Sequence, residues 1–258
     1  MASVRYGEIT VELWEIFLLM AVGVIAGWLN VMAGGGSLLT VPVMLFMDVA
    51  APVANGTNRI AILAQNITAV YAFFRKGFSD FKLSLSLSLA ASIGAVGGAF
   101  VGVQLDGVWF NRTLAIVMIL VMLVMATGKK KSHNNNENSE PKNLILGHFC
   151  MIGAGFWGGF IQVGVGFILM PILHRVMGFN LVRVNMYKVF VVLSYTIVAL
   201  FIFATQLELL WWAGLGLAVG NSIGGWYGAH TTIDKGEVWI KAVMYIALSC
   251  FIIKLLFF

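Results

Sequence analysis

Two cations, Arg59 and Lys188, stand in otherwise apolar surroundings at matching places in the two halves of the chain. Asn55, Gly56, Thr57 and Asn58 precede the arginine, and Asn185 and Tyr187 accompany the lysine. An arginine and a lysine facing one cavity suit an oxyanion, the first offering a planar fork of donors and the second a compact point charge. A charged side chain deep in lipid is costly, so each must face a cavity or snorkel to an interface, and the sequence leaves both open. Upstream of each cation lies a glycine break. Gly34, Gly35, Gly36 and Ser37 cannot comfortably continue a helix, and Pro42 falls within the first turns after them. Such a break frees backbone N–H groups at the start of the next helix, where the positive end of the helix dipole completes an anion site. Gln162, Gly164 and Gly166 hold the corresponding place in the second half, followed by Pro171. Two separated glycines break a helix less firmly than three in a row, so the half-sites are expected to be unequal. The competing reading is a pair of tight re-entrant turns with no ligand.

The elements that must position these residues are apolar. Of 258 residues 60% are hydrophobic and only 10% charged, and mean hydropathy is +0.93, a mix that excludes an ordinary soluble domain. Runs at Trp14 to Val31, Ile60 to Phe74, Leu83 to Val103, Leu114 to Ala126, Leu144 to Ile161, Val189 to Ala204, Leu209 to Gly228 and Val238 to Phe258 approach or reach the roughly 20 residues a helix needs to cross a bilayer. Ser37 to Met47 and Phe167 to Met177 are only about half a bilayer long. A constant offset pairs Gly35 with Gly164, Pro42 with Pro171 and Arg59 with Lys188, so the chain reads as two related halves, 1–128 and 143–258. The hydrophilic segment 129–142, which contains NNNENSE, is a solvated linker.

Basic residues orient the halves. Arg75, Lys76 and Lys82, then Lys129, Lys130, Lys131 and Lys142, then Arg175 and Arg183, mark three loops expected on the cytoplasmic side. The loop after the short run is then outside in the first half and inside in the second, so the halves are inverted, with about five membrane segments each and both termini outside. A four-span parallel repeat ranks second, because it would put Arg175 and Arg183 outside. The expected fold is therefore an all-α polytopic membrane protein of two inverted repeats with broken or re-entrant half-helices, whose substrate would sit near the bilayer midplane. Uniformly apolar runs of this length exclude barrel strands.

Glycine strings at Gly94, Gly97, Gly98 and Gly102, and at Gly220, Gly224, Gly225 and Gly228, allow close helix approach and permit a homodimer. Gln65, Asn66 and Thr68 either tie neighbouring helices or line a path. No aspartate or glutamate falls in mid-span, so proton coupling through a carboxylate lacks support. Cys150 and Cys250 lie in apolar sequence as buried hydrophobes, and no disulfide framework is expected. The first twelve residues do not read as a signal peptide. Most of the excess behind the net charge of +5 sits in short loops beside apolar segments, which points to membrane orientation and away from nucleic acid. No nucleophile cluster, metal-ligand set or nucleotide-binding glycine pattern is present, so neither an enzyme nor a cofactor is expected. A membrane scaffold that binds no anion and a channel remain the alternative classes.

The motifs AGGGSLLTVPVML, NGTNR and GAVGG, with the weaker second set GGFIQVGVGFILMPIL and NMYK, resemble those of the TauE/SafE family of bacterial membrane proteins, the sulfite or organosulfonate exporters, over nearly the whole chain. The resemblance implies a multi-pass carrier of the bacterial cytoplasmic (inner) membrane that exports sulfite or a related small sulfur-containing anion. The family's first glycine motif falls on Gly34, Gly35, Gly36 and Pro42, and its alanine-glycine-threonine motif on Ala54, Gly56 and Thr57. The second copy departs from the pattern, with Gln162 and Val163 where glycines would stand and Asn185-Met186 in place of glycine-threonine.

Overall fold

A computed structural model describes residues 3–6, 9–104, 108–109, 112–113, 116 and 141–257 of the protein. Most of the apolar run Leu114 to Ala126, and residues 129–140 of the linker, lie outside these. A short antiparallel hairpin, β1 (Ser3–Tyr6) and β2 (Ile9–Glu12), pairs Ser3 with Glu12 and Tyr6 with Ile9, an addition to the expected all-helical chain. It leads into α1 (Leu13–Met32), which starts at a capping box in which the Glu15 carboxylate accepts from the Glu12 N–H at 2.8 Å. There follow α2 (Ser37–Phe46), α3 (Ala51–Arg75), α4 (Phe81–Gln104), α5 (Leu144–Phe160) and α6 (Val165–Pro171). The last of these runs on through a single wider π turn, Ile172–Val176, directly after its proline. The chain ends with α7 (Leu181–Gln206) and α8 (Trp211–Phe257), the latter interrupted at Gly236, where φ is 66°.

The two short apolar runs are thus the short helices α2 and α6, each returning after a break. The polar groups around Arg59 and Lys188 do not open their helices as expected. Pro52 starts α3, and the Asn180 side chain caps α7 by accepting from the Arg183 N–H at 2.8 Å, so both cations lie about two turns further in.

Among the described residues three helices, Leu13–Met32, Phe81–Gln104 and Leu181–Gln206, are long and apolar enough to cross a membrane. Their outer faces carry large exposed apolar side chains such as Phe17, Ile25, Ile93, Ile197 and Phe201, which suit lipid and not water.

Glycine seams hold the two halves together. A Cβ at Gly94 or Gly98 would overlap the backbone of α5 at Ile152 or Phe156, and one at Gly155 or Gly159 would overlap α4 at Ala91 or Ala95. Gly220 and Gly224 of α8 press in the same way on Met20 and Val24 of α1. Residue numbers rise together along both seams, so α4 runs parallel to α5 and α1 parallel to α8. In addition α3 packs on α8, and α7 on α4.

Charge sorts to the ends of this bundle. At one end Lys76 pairs with Asp234 (3.2 Å) and Arg183 with Asp80 (3.9 Å), the Leu181 N–H donates to Glu237 (3.1 Å), and the Lys142 N–H donates to the Met177 carbonyl (2.9 Å). The loops bearing Arg75, Lys76, Lys142, Arg175 and Arg183 therefore share one end. At the other end the Leu210 N–H donates to Thr57 Oγ1 (3.1 Å), which brings the start of α3 beside the loop containing Glu208.

Candidate functional site

The two glycine breaks meet. Gly34 (φ 87°) and Gly166 pack backbone against backbone, and a methyl on either would overlap the other's main chain. Only glycine fits there, for conformation and space at Gly34 and for space at Gly166. Across the second break the chain turns at Gln162 (φ 67°) and Gly164 (φ 72°), and Gln162 is a rare non-glycine residue in the left-handed region. The N–H groups of Gly35, Gly36, Ser37, Gly164 and Gly166 make no backbone hydrogen bond among the described residues.

Each cation reaches the broken helix of the opposite half. From α3, Arg59 Nη1 donates to Gly158 O (2.9 Å) and Gln162 Oε1 (3.3 Å), and Nη2 donates to Gly159 O (2.5 Å) and Phe160 O (3.4 Å). Its guanidinium lies over the Phe203 ring, 4.4 Å from the centroid. From α7, Lys188 Nζ donates to Asn30 O (3.1 Å) and Val31 O (2.7 Å). Gly159 and Phe160 stand to Asn30 and Val31 at the same sequence offset that pairs Lys188 with Arg59, so the two clamps are equivalent. The last carbonyls of a helix lack intrahelical donors and carry the negative end of its dipole, which is why a cation is stable there. Neither cation snorkels: Arg59 is 0% exposed and Lys188 2%.

The asparagines follow the same crossed pattern. Asn55 Nδ2 donates to Phe160 O (2.9 Å), and Asn185 Nδ2 to Met32 O and Thr232 Oγ1 (both 3.4 Å). Asn58 bridges the start of α2, donating to Ser37 Oγ (3.1 Å) and accepting from Thr40 Oγ1 (2.7 Å). Gln65 accepts from Asn30 (3.2 Å) and Asn221 (3.3 Å), one of the two uses expected for it, the tie between helices. Gly36 is packed against α1 at Ala26 and Asn30.

Two expected site residues are not brought to the breaks. Thr57 binds Leu210 at one end of the bundle, and the Tyr187 hydroxyl donates to Asp80 Oδ2 (2.6 Å) at the other, its ring 4.6 Å from that of Phe179. Conversely, Phe203 reaches Arg59, and Tyr195 the neighbouring Gly158, from within the apolar run Val189 to Ala204. The only signal for the tyrosine was a hydroxyl in mid-run, and an apolar phenylalanine gave none.

Position along the helices separates the two clamps. At 1.5 Å per residue Arg59 lies about 12 Å from the start of α3, at the end with Glu208, and Lys188 about 10 Å from the start of α7, at the basic end. The cations therefore flank the Gly34–Gly166 contact, one towards each end.

Comparison with known proteins agrees in kind with these features. The sequence profile described as sulfite exporter TauE/SafE matches residues 19–255. A "Probable membrane transporter protein ORF9" of Sinorhizobium sp is 25% identical over 232 residues, 90% of this chain and 88% of that protein. "Probable membrane transporter protein YfcA" of Escherichia coli K12 is 25% identical over 246 residues, 93% of this chain and 89% of the relative. A similarly named protein of Haemophilus influenzae is 23% identical over 229 residues, 89% of each. No solved structure matches the chain.

Proposed function

The chain belongs to the sulfite exporter TauE/SafE family, and from that premise we propose that it is a secondary transporter exporting sulfite or a small organosulfonate across the bacterial inner membrane. One observation carries this reading: the interior holds two buried cations, while every buried polar partner they have is a carbonyl or amide oxygen and no carboxylate is buried among the described residues. Buried charges need compensation. Two helix C-termini offset roughly half a charge each, so about one positive charge remains between them. A small monoanion such as hydrogensulfite or a sulfonate matches that remainder.

In this mechanism the chain is two inverted repeats of about five membrane segments, multi-pass, with the basic loops in the cytoplasm. The free amides at the breaks donate to the anion, and Arg59 and Lys188 balance its charge. Alternating access follows from parting the Gly34–Gly166 contact towards one end and then the other, which exposes one cation in each state.

Thermal unfolding of the purified protein in detergent, with sulfite, sulfoacetate, thiosulfate or sulfate against chloride, tests the substrate class. A ligand at about a hundred times its dissociation constant adds roughly 2.7 kcal/mol to the folded state. Sulfite or sulfoacetate is expected to raise the melting temperature and to support counterflow in proteoliposomes. If no sulfur anion shifts the wild type, the substrate class is wrong.

A further inference from the structure

We propose that Tyr195 is a substrate-recognising residue, its hydroxyl and the Nε–H of Arg59 together binding oxygens of the transported anion beside the second break. This rests on the reading of the chain as an anion carrier and adds a donor to it. Both residues are 0% exposed, and neither Tyr195 Oη nor Arg59 Nε has a hydrogen-bond partner in the folded chain. Both atoms belong to groups that flank Gly158. Arg59 Nη1 donates to the Gly158 carbonyl at 2.9 Å, and a Cβ built on Gly158 would stand 2.7 Å from Tyr195 Oη. The hydroxyl lies beside Gln162 and the guanidinium.

Buried polar groups are nearly always paired, and an unpaired one costs stability. Here two such groups border the same glycine. Arg59 Nε can only donate, since a guanidinium has no acceptor, so the missing partner is an acceptor. A hydroxyl next to it that can also donate defines a two-donor site, and the guanidinium supplies the charge that selects an oxyanion over a neutral acceptor.

The equivalent place in the other half lacks this device. At the repeat offset Tyr195 corresponds to Asn66, whose amide is satisfied by Ile62 O of its own helix at 2.7 Å. Recognition of the anion is therefore concentrated at Arg59, while Lys188 supplies charge alone.

Tyr195→Phe removes the hydroxyl and keeps the ring. In the full-length protein in detergent the variant is expected to melt, without ligand, at or above the wild-type temperature, because an unsatisfied group has gone. Its dissociation constants for sulfite and sulfoacetate are expected to rise at least about tenfold, the usual loss for a hydrogen bond to a charged group. Counterflow should fall in parallel. Affinity within twofold of the wild type would overturn the proposal, and so would a drop in the unliganded melting temperature that accounts for the lost affinity. If the wild type binds no sulfur anion, the substrate reading fails first; phosphate and acetate then serve as probes on both proteins. A tenfold difference with either would keep the role of Tyr195, and equal binding or none would overturn it.

Discussion

Arg59 commits its two terminal nitrogens to four acceptors on and just beyond α5, so it is a clamp as well as a charge. Arg59→Ala leaves buried carbonyls of Gly158 and Gly159 without their donor, and each such orphan costs about 1–3 kcal/mol. The expected outcome is a loss of at least about 2 kcal/mol, read as a fall in melting temperature by fluorescence-detected gel filtration. A wild-type melting temperature would show that the capping bonds contribute little. Arg59→Lys is the cleaner probe of function: it keeps a charge that can reach one or two carbonyls but loses Nε, so it should fold and bind the anion more weakly. The sequence showed both cations because their matched offset is written in side chains. It could not show the crossing of each cation to the other half, because the acceptors are main-chain carbonyls that any residue type can supply. Tyr195 and Phe203 were hidden for the opposite reason: inside an apolar run, a side chain that packs at the Arg59 clamp looks like one that touches lipid.

The helices are placed by their glycines, and the space around each glycine decides what a substitution does. A Cβ at Gly98 meets backbone of α5, which cannot yield without moving the helix, whereas Gly153 has nothing within 4 Å. Gly98→Ala should therefore lower stability by about 1–3 kcal/mol through overpacking. Gly153→Ala should raise it by up to about 1 kcal/mol through helix propensity. Comparing the two melting temperatures tests the α4–α5 seam directly, and equal effects would refute it. At the centre Gly34→Ala and Gly166→Ala wedge the breaks apart, while Gly77→Ala, at φ 82° in open space, bears only backbone strain of about 1–2 kcal/mol. Binding is expected to be lost in the first two and kept in the third. The two short helices were legible from run length alone. The starts of α3 and α7 were not, because Asn55 to Arg59 and Asn185 to Lys188 read as polar boundary residues. In the fold they are satisfied by carbonyls of the opposite half, so polarity there marks the interior.

For the whole molecule, the sorting of charge to one end bears on whether the two halves are inverted. Asp48 follows the short helix of the first half, and Arg175 sits in the π turn that ends the short helix of the second; both are exposed. In parallel repeats these positions would face the same side of the membrane, and in inverted repeats opposite sides. Arg175 lies with the loops of Lys76 and Arg183, at the end where basic residues gather, and Asp48 directly precedes the start of α3 at the other end. Cysteine placed singly at each position, with Cys150 and Cys250 replaced by alanine, should react with a membrane-impermeant maleimide from one side only. Asp48→Cys and Glu208→Cys are expected to label in intact cells, and Lys76→Cys and Arg175→Cys only in inside-out vesicles, since basic loops are retained in the cytoplasm. Labelling of Asp48→Cys and Arg175→Cys from the same side would rule out inversion. It would also remove the basis for alternating access, because the equivalence of the Arg59 and Lys188 clamps permits two states of comparable energy only if exchanging the halves also exchanges the two faces of the membrane.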